Sequence, residues 1–303
     1  AVRIGRVTVE VALVPAHRPA YYHDRSACYT PVVGAIIVGT SGYSYDDWVG
    51  PVYPPATSRH DFLEHYARRF RMTELNFTYY RQPEPSSLRS IAAKTPPGFL
   101  FTVKAHRSLT HDRGADWHRE ADRFASAVSA LEAIPSTAPG GSHGHENRLA
   151  GVLLQFPFSF HYEAENRRYL ASVTDALAHC RLFVEFRNAE WDQESVWREM
   201  ERRGLGLVVP DLPALNGLPR TPARLTAPWG YVLFHGRNAA QWWSGTNVSR
   251  YDYLYREDEL QSWVGPVTSM AAEAETVIVT FNNHFAGQAV ENAQQFASMV
   301  SAA

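Results

Sequence analysis

The chain is short of several things, and each shortage excludes a class of protein. Its 2 cysteines, Cys28 and Cys180, are too few for a disulfide framework and match no metal-binding spacing, so a reducing cytoplasm is the expected location. No apolar run approaches the roughly 20 residues needed to span a bilayer, so no membrane partner is expected. Val7 to Val14 is apolar but short, contains Glu10 and ends at Pro15, which makes a poor signal peptide. Neither charge sign is in excess: 29 Lys and Arg against 31 Asp and Glu leave a net charge of −2, so any nucleic-acid partner would need a local basic patch. There is no short-period repeat, and no His-x-x-x-His or His-x-Asp spacing.

What the chain does have is a recurring unit. Short apolar runs rich in β-branched residues end in polar clusters along nearly the whole length. Ile36 to Gly39 runs into Thr40-Ser41-Gly42, Met72 to Leu75 carries Glu74 into Asn76, and Phe99 to Val103 ends in Lys104-Ala105-His106. Val152 to Leu154 gives Gln155, Leu182 to Val184 gives Glu185-Phe186-Arg187, and Leu207 to Val209 leads to Asp211. Tyr231 to Phe234 gives His235-Gly236-Arg237, and Val277 to Thr280 gives Asn282-Asn283-His284. Amphipathic helices fall between the runs, at Ser58–Phe70, Ser86–Ala93, Asp116–Ala133, Glu163–Ala178, Asp192–Arg203, Arg256–Thr268 and Asn292–Val300. Alternating strands and helices imply parallel strands with right-handed crossovers, and eight such units fit a closed (β/α)8 TIM-barrel-like fold of class α/β. Its active site would lie at the strand C-termini, where all the polar clusters point.

With 45% hydrophobic and 20% charged residues the composition is that of an ordinary globular protein, long enough for one barrel of roughly 250 residues with extensions. Residues 1–34, rich in Pro, Tyr, Arg and His, lie outside the repeating unit and read as an N-terminal extension; residues 35–303 form the single barrel domain. Pro135 to Asn147 reads as a flexible loop, its His143 and His145 more fitting as solvated linker than as ligands. The proline-rich stretch from Asp211 to Pro228 replaces the sixth helix with an irregular loop over the barrel mouth.

Two sets of residue types point to chemistry. Glu185, Lys104, His235 and Glu74 are the candidates for proton transfer, because carboxylates and cations crowded at one mouth shift each other's pKa values; Asp211 and His106 belong to the same crowd. Arg187, Arg237, Asn282 and Asn283 are the candidates for holding an anion, since arginine grips phosphate or carboxylate with a fork and loops seven and eight hold phosphate in many barrels. Equally open is that Arg237 pairs with a carboxylate such as Glu185 and that the asparagines cap the last helix. Asn76, Tyr80, Arg81 and Gln155 complete the candidate binding set, and Trp242-Trp243 is a candidate lid edge. Alternate residues on a strand share a side, so Glu185 with Arg187, Lys104 with His106, and Glu74 with Asn76 should point together. No cofactor is favoured. A zinc or manganese site built from His106, His111, His235, His284 and the carboxylates is the weaker alternative, opposed by Lys104, Arg187 and Arg237 in the same space.

Taken together, the chain resembles the DUF72 or YecE-like family over about residues 36 to 300. The resemblance rests on Val38-Gly39-Thr40-Ser41-Gly42, Glu74-Leu75-Asn76-Phe77-Thr78-Tyr79-Tyr80-Arg81, Gln155-Phe156-Pro157, Glu185-Phe186-Arg187 with Trp191, His235-Gly236-Arg237, Tyr251-Asp252-Tyr253 and Phe281-Asn282-Asn283-His284. It departs at Tyr43, where family members usually carry Trp. The resemblance implies a TIM-barrel fold and a functional face without fixing a reaction, and it suggests architectural kinship with AP-endonuclease and xylose-isomerase barrels. The expectation is an enzyme that binds a small phosphorylated or otherwise anionic ligand at the barrel mouth. The alternatives are a metal-dependent phosphodiesterase acting on nucleic acid, and a non-catalytic binding module.

Overall fold

A computed structural model of the chain describes residues 34–135, 145–246 and 248–303. Eight parallel strands close into a barrel in sequence order: β1 (Ala35–Ser41), β2 (Met72–Leu75), β3 (Leu100–Lys104), β4 (Leu149–Phe156), β5 (Leu182–Phe186), β6 (Gly206–Asp211), β7 (Trp229–Phe234) and β8 (Thr276–Phe281). Pairing of β1 with β8, Ile36 opposite Val277 and Val38 opposite Val279, shuts the ring. Every strand overlaps one of the apolar runs, because parallel strands covered on both faces must be apolar on both. The largest extension is at β4, whose first half contains Ala150-Gly151. A Cβ on Gly151 would lie 2.6 Å from the Phe183 ring and 2.9 Å from the Arg181 carbonyl, so the bare backbone lets β4 and β5 approach.

The apolar residues sort into two layers. Met72, Leu100, Leu153, Phe183, Val208, Leu233 and Ile278 plug the barrel interior, while the larger cluster fills the space between strands and helices. The helices are α1 (Phe62–Tyr66), α2 (Phe77–Tyr80), α3 (Pro85–Ala92), α4 (Trp117–Val128), α5 (Ala164–Ala176), α6 (Glu194–Arg202), α7 (Glu257–Glu273) and α8 (Gln288–Ala302). Two of the differences from the periodicity reading have a visible cause. α1 is much shorter than Ser58–Phe70: the Ser58 hydroxyl bonds the Asp61 carboxylate at 2.7 Å and so caps no backbone N–H, although Phe62, Leu63, Tyr66 and Phe70 still bury one face. α7 runs beyond Thr268 despite Pro266, because Leu260, Val264, Val267, Met270 and Ala271 are all buried against the barrel.

Residues 212–228 form no helix, as expected, but only the first part of the segment is near the mouth. Further on, Thr226 accepts a hydrogen bond from the Leu207 N–H and donates to the Leu205 carbonyl, so the segment descends to the start of β6. The 135–147 loop is anchored at its ends by an antiparallel ribbon, Ile134 to Glu146 and Pro135 to His145. Residues 1–33, including Cys28, and residues 136–144, including His143, lie outside the described residues; Cys180 is buried and unpaired. Among the described residues no helix is long and apolar enough to cross a membrane.

Candidate functional site

The loops after all eight strands meet over a cleft of about 650 Å³ at the C-terminal mouth. Local packing holds its walls. On the β4 side, Trp191 stacks on Phe186 at 4.4 Å and on Phe160 at 5.0 Å, and its indole N–H donates to the Phe160 carbonyl, which fixes the turn carrying Pro157 and Phe158. On the β1 side, Gly42 adopts φ +93° so that the Tyr45 hydroxyl can reach back to the Ser41 carbonyl at 2.7 Å. Tyr45 then stacks on His284 with ring centroids 4.5 Å apart.

Beneath the cleft lies a buried charge cluster. Glu185, 0% exposed, accepts from Arg187 Nε and, through the same oxygen, bonds His235 Nε2 at 2.9 Å. His235 Nδ1 faces Arg187 Nη2 at 3.3 Å and the Asn282 amide nitrogen at 3.1 Å. An arginine only donates, so Nδ1 is the acceptor and the imidazole carries its proton on Nε2, aimed at Glu185. Burial raises the Glu185 pKa, but Arg187 and His235 outweigh it and hold the carboxyl at about 2. Burial and the Arg187 charge push His235 down to about 4, so it is neutral near pH 7. A carboxylate this acidic is a weak base, and neither Glu185 nor His235 is part of the cleft wall; Arg187 and Asn282 are. The structure thus brings Glu185 and His235 together beneath the cleft, both in contact with Arg187 and His235 also with Asn282.

Glu74, 2% exposed, has the opposite environment. Its Oε2 accepts from the Tyr231 hydroxyl at 2.5 Å, and Thr280 donates to that hydroxyl at 3.1 Å, a polar layer across the barrel interior. Burial drives the Glu74 pKa up, with Glu185 adding to the rise, and Lys104 and Tyr231 only partly compensate. Unlike Glu185, Glu74 reaches the cleft, together with Asn76, Gln155 and Tyr80. Lys104 also faces it, 5.1 Å from the Tyr79 ring centroid, its ammonium without a hydrogen bond or ion pair among the described residues. His106, by contrast, turns back to bond Ser108, because β3 ends at Lys104 and the alternation ends with it.

Besides Glu185 and His235, three candidates stand away from the cleft wall, each for a visible reason. The guanidinium of Arg237 grips Asp211 at 2.8 and 2.6 Å and reaches Glu259 at 3.3 Å. The Asp211 carboxylate also accepts from Tyr255 at 2.6 Å and Trp263 at 2.8 Å, so both partners are committed to joining β6, the β7 loop and α7. Asn283, fully buried, donates to the Tyr253 carbonyl and to Asn292 within α8, a tie between loop and helix and not a helix cap. Arg81 is exposed and faces a neighbouring depression with Lys94 and Ser90. The Gly236 N–H is likewise taken, by the Tyr255 hydroxyl at 2.9 Å.

The metal alternative finds no ligand set: among the described residues no three His, Cys, Asp or Glu side chains are grouped to hold an ion. His235 is bonded to Glu185, His284 lies on Tyr45, and His111 is bonded to Thr110 and kept neutral down to about 4 by burial and Lys104.

Two cleft residues carry no mark in the strand pattern because both sit in the long β7 loop. Arg250 lines the cleft 5.8 Å from the Trp242 ring, with no ion pair among the described residues. Burial would raise the Tyr251 phenol, yet Arg187, Lys104 and Arg250 bring it below the ordinary tyrosine range. The Tyr-Asp-Tyr motif was the available signal, but it gives no direction for the side chain.

A closed parallel eight-strand barrel with a charged, aromatic-rimmed cleft at the strand C-termini places this chain among the TIM-barrel-like α/β proteins. The family model described as "Protein of unknown function DUF72" matches residues 37–303, and the chain belongs to that family. It is 30% identical over 278 residues to the UPF0759 protein YunF of Bacillus subtilis (strain 168), covering 88% of this chain and 94% of that protein. A DUF72 family crystal structure from Thermotoga maritima superposes with a TM-score of 0.77 at 38% identity, over 88% of this chain and 98% of that one. One from Enterococcus faecalis superposes with a TM-score of 0.74 at 24% identity over 88% and 95%, a likeness of fold.

Proposed function

We propose that the protein is an enzyme that binds a small phosphorylated or otherwise anionic substrate in the mouth of its barrel and uses Glu74 as the proton-transferring acid. The observation that carries this reading is the mismatch of charge in the cleft. Lys104 and Arg250 face it with no carboxylate partner among the described residues, and Arg187 lies in its wall, held by Glu185 from below. The carboxyl that shares the cleft wall with those cations, Glu74, has its pKa raised by burial. An anion entering the cleft supplies the missing negative charge in a partly desolvated site, where such pairs are stronger than in water. Two carboxylates whose environments push their pKa values apart are the usual mark of divided labour, one fixed and charged, the other able to give a proton.

Calorimetric titration with inorganic phosphate and a panel of sugar and alcohol phosphates tests the binding half. Lys104→Ala with Arg250→Ala should weaken binding by at least tenfold; equal affinity in the double variant, or no binding by the wild type, would refute the reading. Any turnover found should disappear in Glu74→Gln while binding persists, and full activity in that variant would remove Glu74 from its role.

A further inference from the structure

The described residues expose three large aromatic side chains, Tyr80 at 67%, Trp243 at 52% and Phe158 at 39%, and all three line the same cleft. Exposed aromatics cost solvation, and their concentration at one opening marks a contact surface for a ligand. They come from different strands: Tyr80 follows β2, Phe158 follows β4, and Trp243 lies in the β7 loop. Trp243 meets Phe158 edge-to-face at 4.8 Å, so the β7 loop reaches past strands β5 and β6 to complete the rim. Below this apolar rim the wall is polar and buried: Glu74 is 2% exposed, Gln155 8% and Arg187 9%. The cleft is therefore graded, polar at depth, with Arg187 its buried cation, and aromatic at the opening.

Resting on the anionic-substrate reading, we infer that the natural ligand is a free nucleoside phosphate, its phosphate on Arg187, Lys104 and Arg250 and its base against Trp243, Phe158 and Tyr80. A phosphate alone, or a small sugar phosphate, would use the depth of the cleft and leave the rim in water. A base supplies a flat face that stacks on aromatic rings whatever its identity. The volume of about 650 Å³ is within the range of clefts that enclose one such molecule. A longer strand finds less support at the rim, because Arg107 is already paired with Asp112 and, on the adjoining surface, Arg59 with Asp46.

The experiment is a calorimetric comparison of AMP, ribose 5-phosphate, adenosine and a short single-stranded oligoadenylate on the wild type, Trp243→Ala and Trp243→Phe. Trp243 is half exposed, so folding is not at stake. AMP should bind about tenfold or more tightly than ribose 5-phosphate, the preference should collapse in Trp243→Ala with ribose 5-phosphate unchanged, and Trp243→Phe should retain most of it. Equal affinities for AMP and ribose 5-phosphate in the wild type would overturn this inference and leave the anion reading standing. Adenosine binding as tightly as AMP would overturn the anion reading, and with it the inference. Oligoadenylate binding more tightly than AMP would overturn the assignment to a free nucleotide.

Discussion

Replacing Glu185 with Gln tests whether the cluster under the cleft is a device for holding charge. The side chain is fully buried and serves both Arg187 and His235 through one oxygen. Its pKa is lowered from 4.5 to about 2, a gap worth on the order of 3 kcal/mol at neutral pH. Breaking a buried ion pair by removing one member costs about 3–5 kcal/mol by an independent route, since the stranded guanidinium keeps its desolvation penalty. Because the folded-state value lies below the unfolded one, Glu185 contributes fully above about pH 4.5 and loses that contribution as pH falls toward 2. His235 acts in the same direction in a higher window: with a folded value of about 4 against 6.5, its contribution declines as pH falls from 6.5 to 4.

Urea unfolding followed by circular dichroism, repeated from neutral to acid pH, measures both effects, with an unchanged m-value showing that stability alone has moved. Glu185→Gln should lose about 3 kcal/mol at pH 7 and progressively less below pH 4.5. The double variant Glu185→Gln with Arg187→Met should recover a large part of the loss, because no buried charge is left unpaired. A cost under about 1 kcal/mol at pH 7, or an equal cost at all pH values, would refute the description of the pair.

Arg237→Ala should cost about 2–4 kcal/mol by leaving the buried Asp211 carboxylate with only Tyr255 and Trp263, while phosphate titration gives wild-type affinity; weakened binding with unchanged stability would return Arg237 to the site. In a near-ultraviolet titration of the tyrosines, Tyr251→Phe should remove a first wave that lies below the ordinary tyrosine range, because the cations around Tyr251 lower its phenol while Tyr43 and Tyr253 are pushed up to about 12. Saturating phosphate should move that first wave upward by neutralising Lys104, Arg187 and Arg250. A wave that survives the substitution would show that the cations do not converge on Tyr251.

The barrel was legible because its strands are buried on both faces, so the apolar runs need no partner information to be recognised. Glu185 and Arg187 do point together, as a two-residue strand period requires, and so do Glu74 and Asn76. The rule still holds one residue past a strand and fails further out. β3 ends at Lys104 and His106 turns to cap a short turn; β7 ends at Phe234, and Gly236 at φ +89° sends Arg237 toward Asp211. Which of two nearby carboxylates an arginine takes is a question of three-dimensional distance, so Arg237 with Asp211 and Arg187 with Glu185 could not be separated by pattern. The β7 loop carries Trp242, Trp243, Arg250 and Tyr251 with no periodicity to give their direction.

The cations near the mouth divide according to how completely each is matched, and the division decides which can bind. Arg237 belongs to a carboxylate that accepts four hydrogen bonds, two of them from Arg237 itself, and an anion could recruit it only by dismantling that set. Arg107 is paired with Asp112 at the rim. Arg187 is intermediate: it is neutralised from below by Glu185, yet keeps donors toward the cleft, so its burial is tolerated and its orientation fixed. Among the described residues Lys104 and Arg250 have no such partner, and Glu74, the carboxyl in the same cleft wall, has its pKa raised by its own burial. Ionising Glu74 would bring a negative charge toward Lys104 and cancel part of the attraction for a ligand; protonating it leaves the cations unopposed and puts an acidic proton in the cleft. Anion binding and the neutral form of Glu74 therefore favour each other from opposite directions. Because linkage is reciprocal, a bound anion must raise the Glu74 pKa by the same free energy by which protonation of Glu74 tightens the anion.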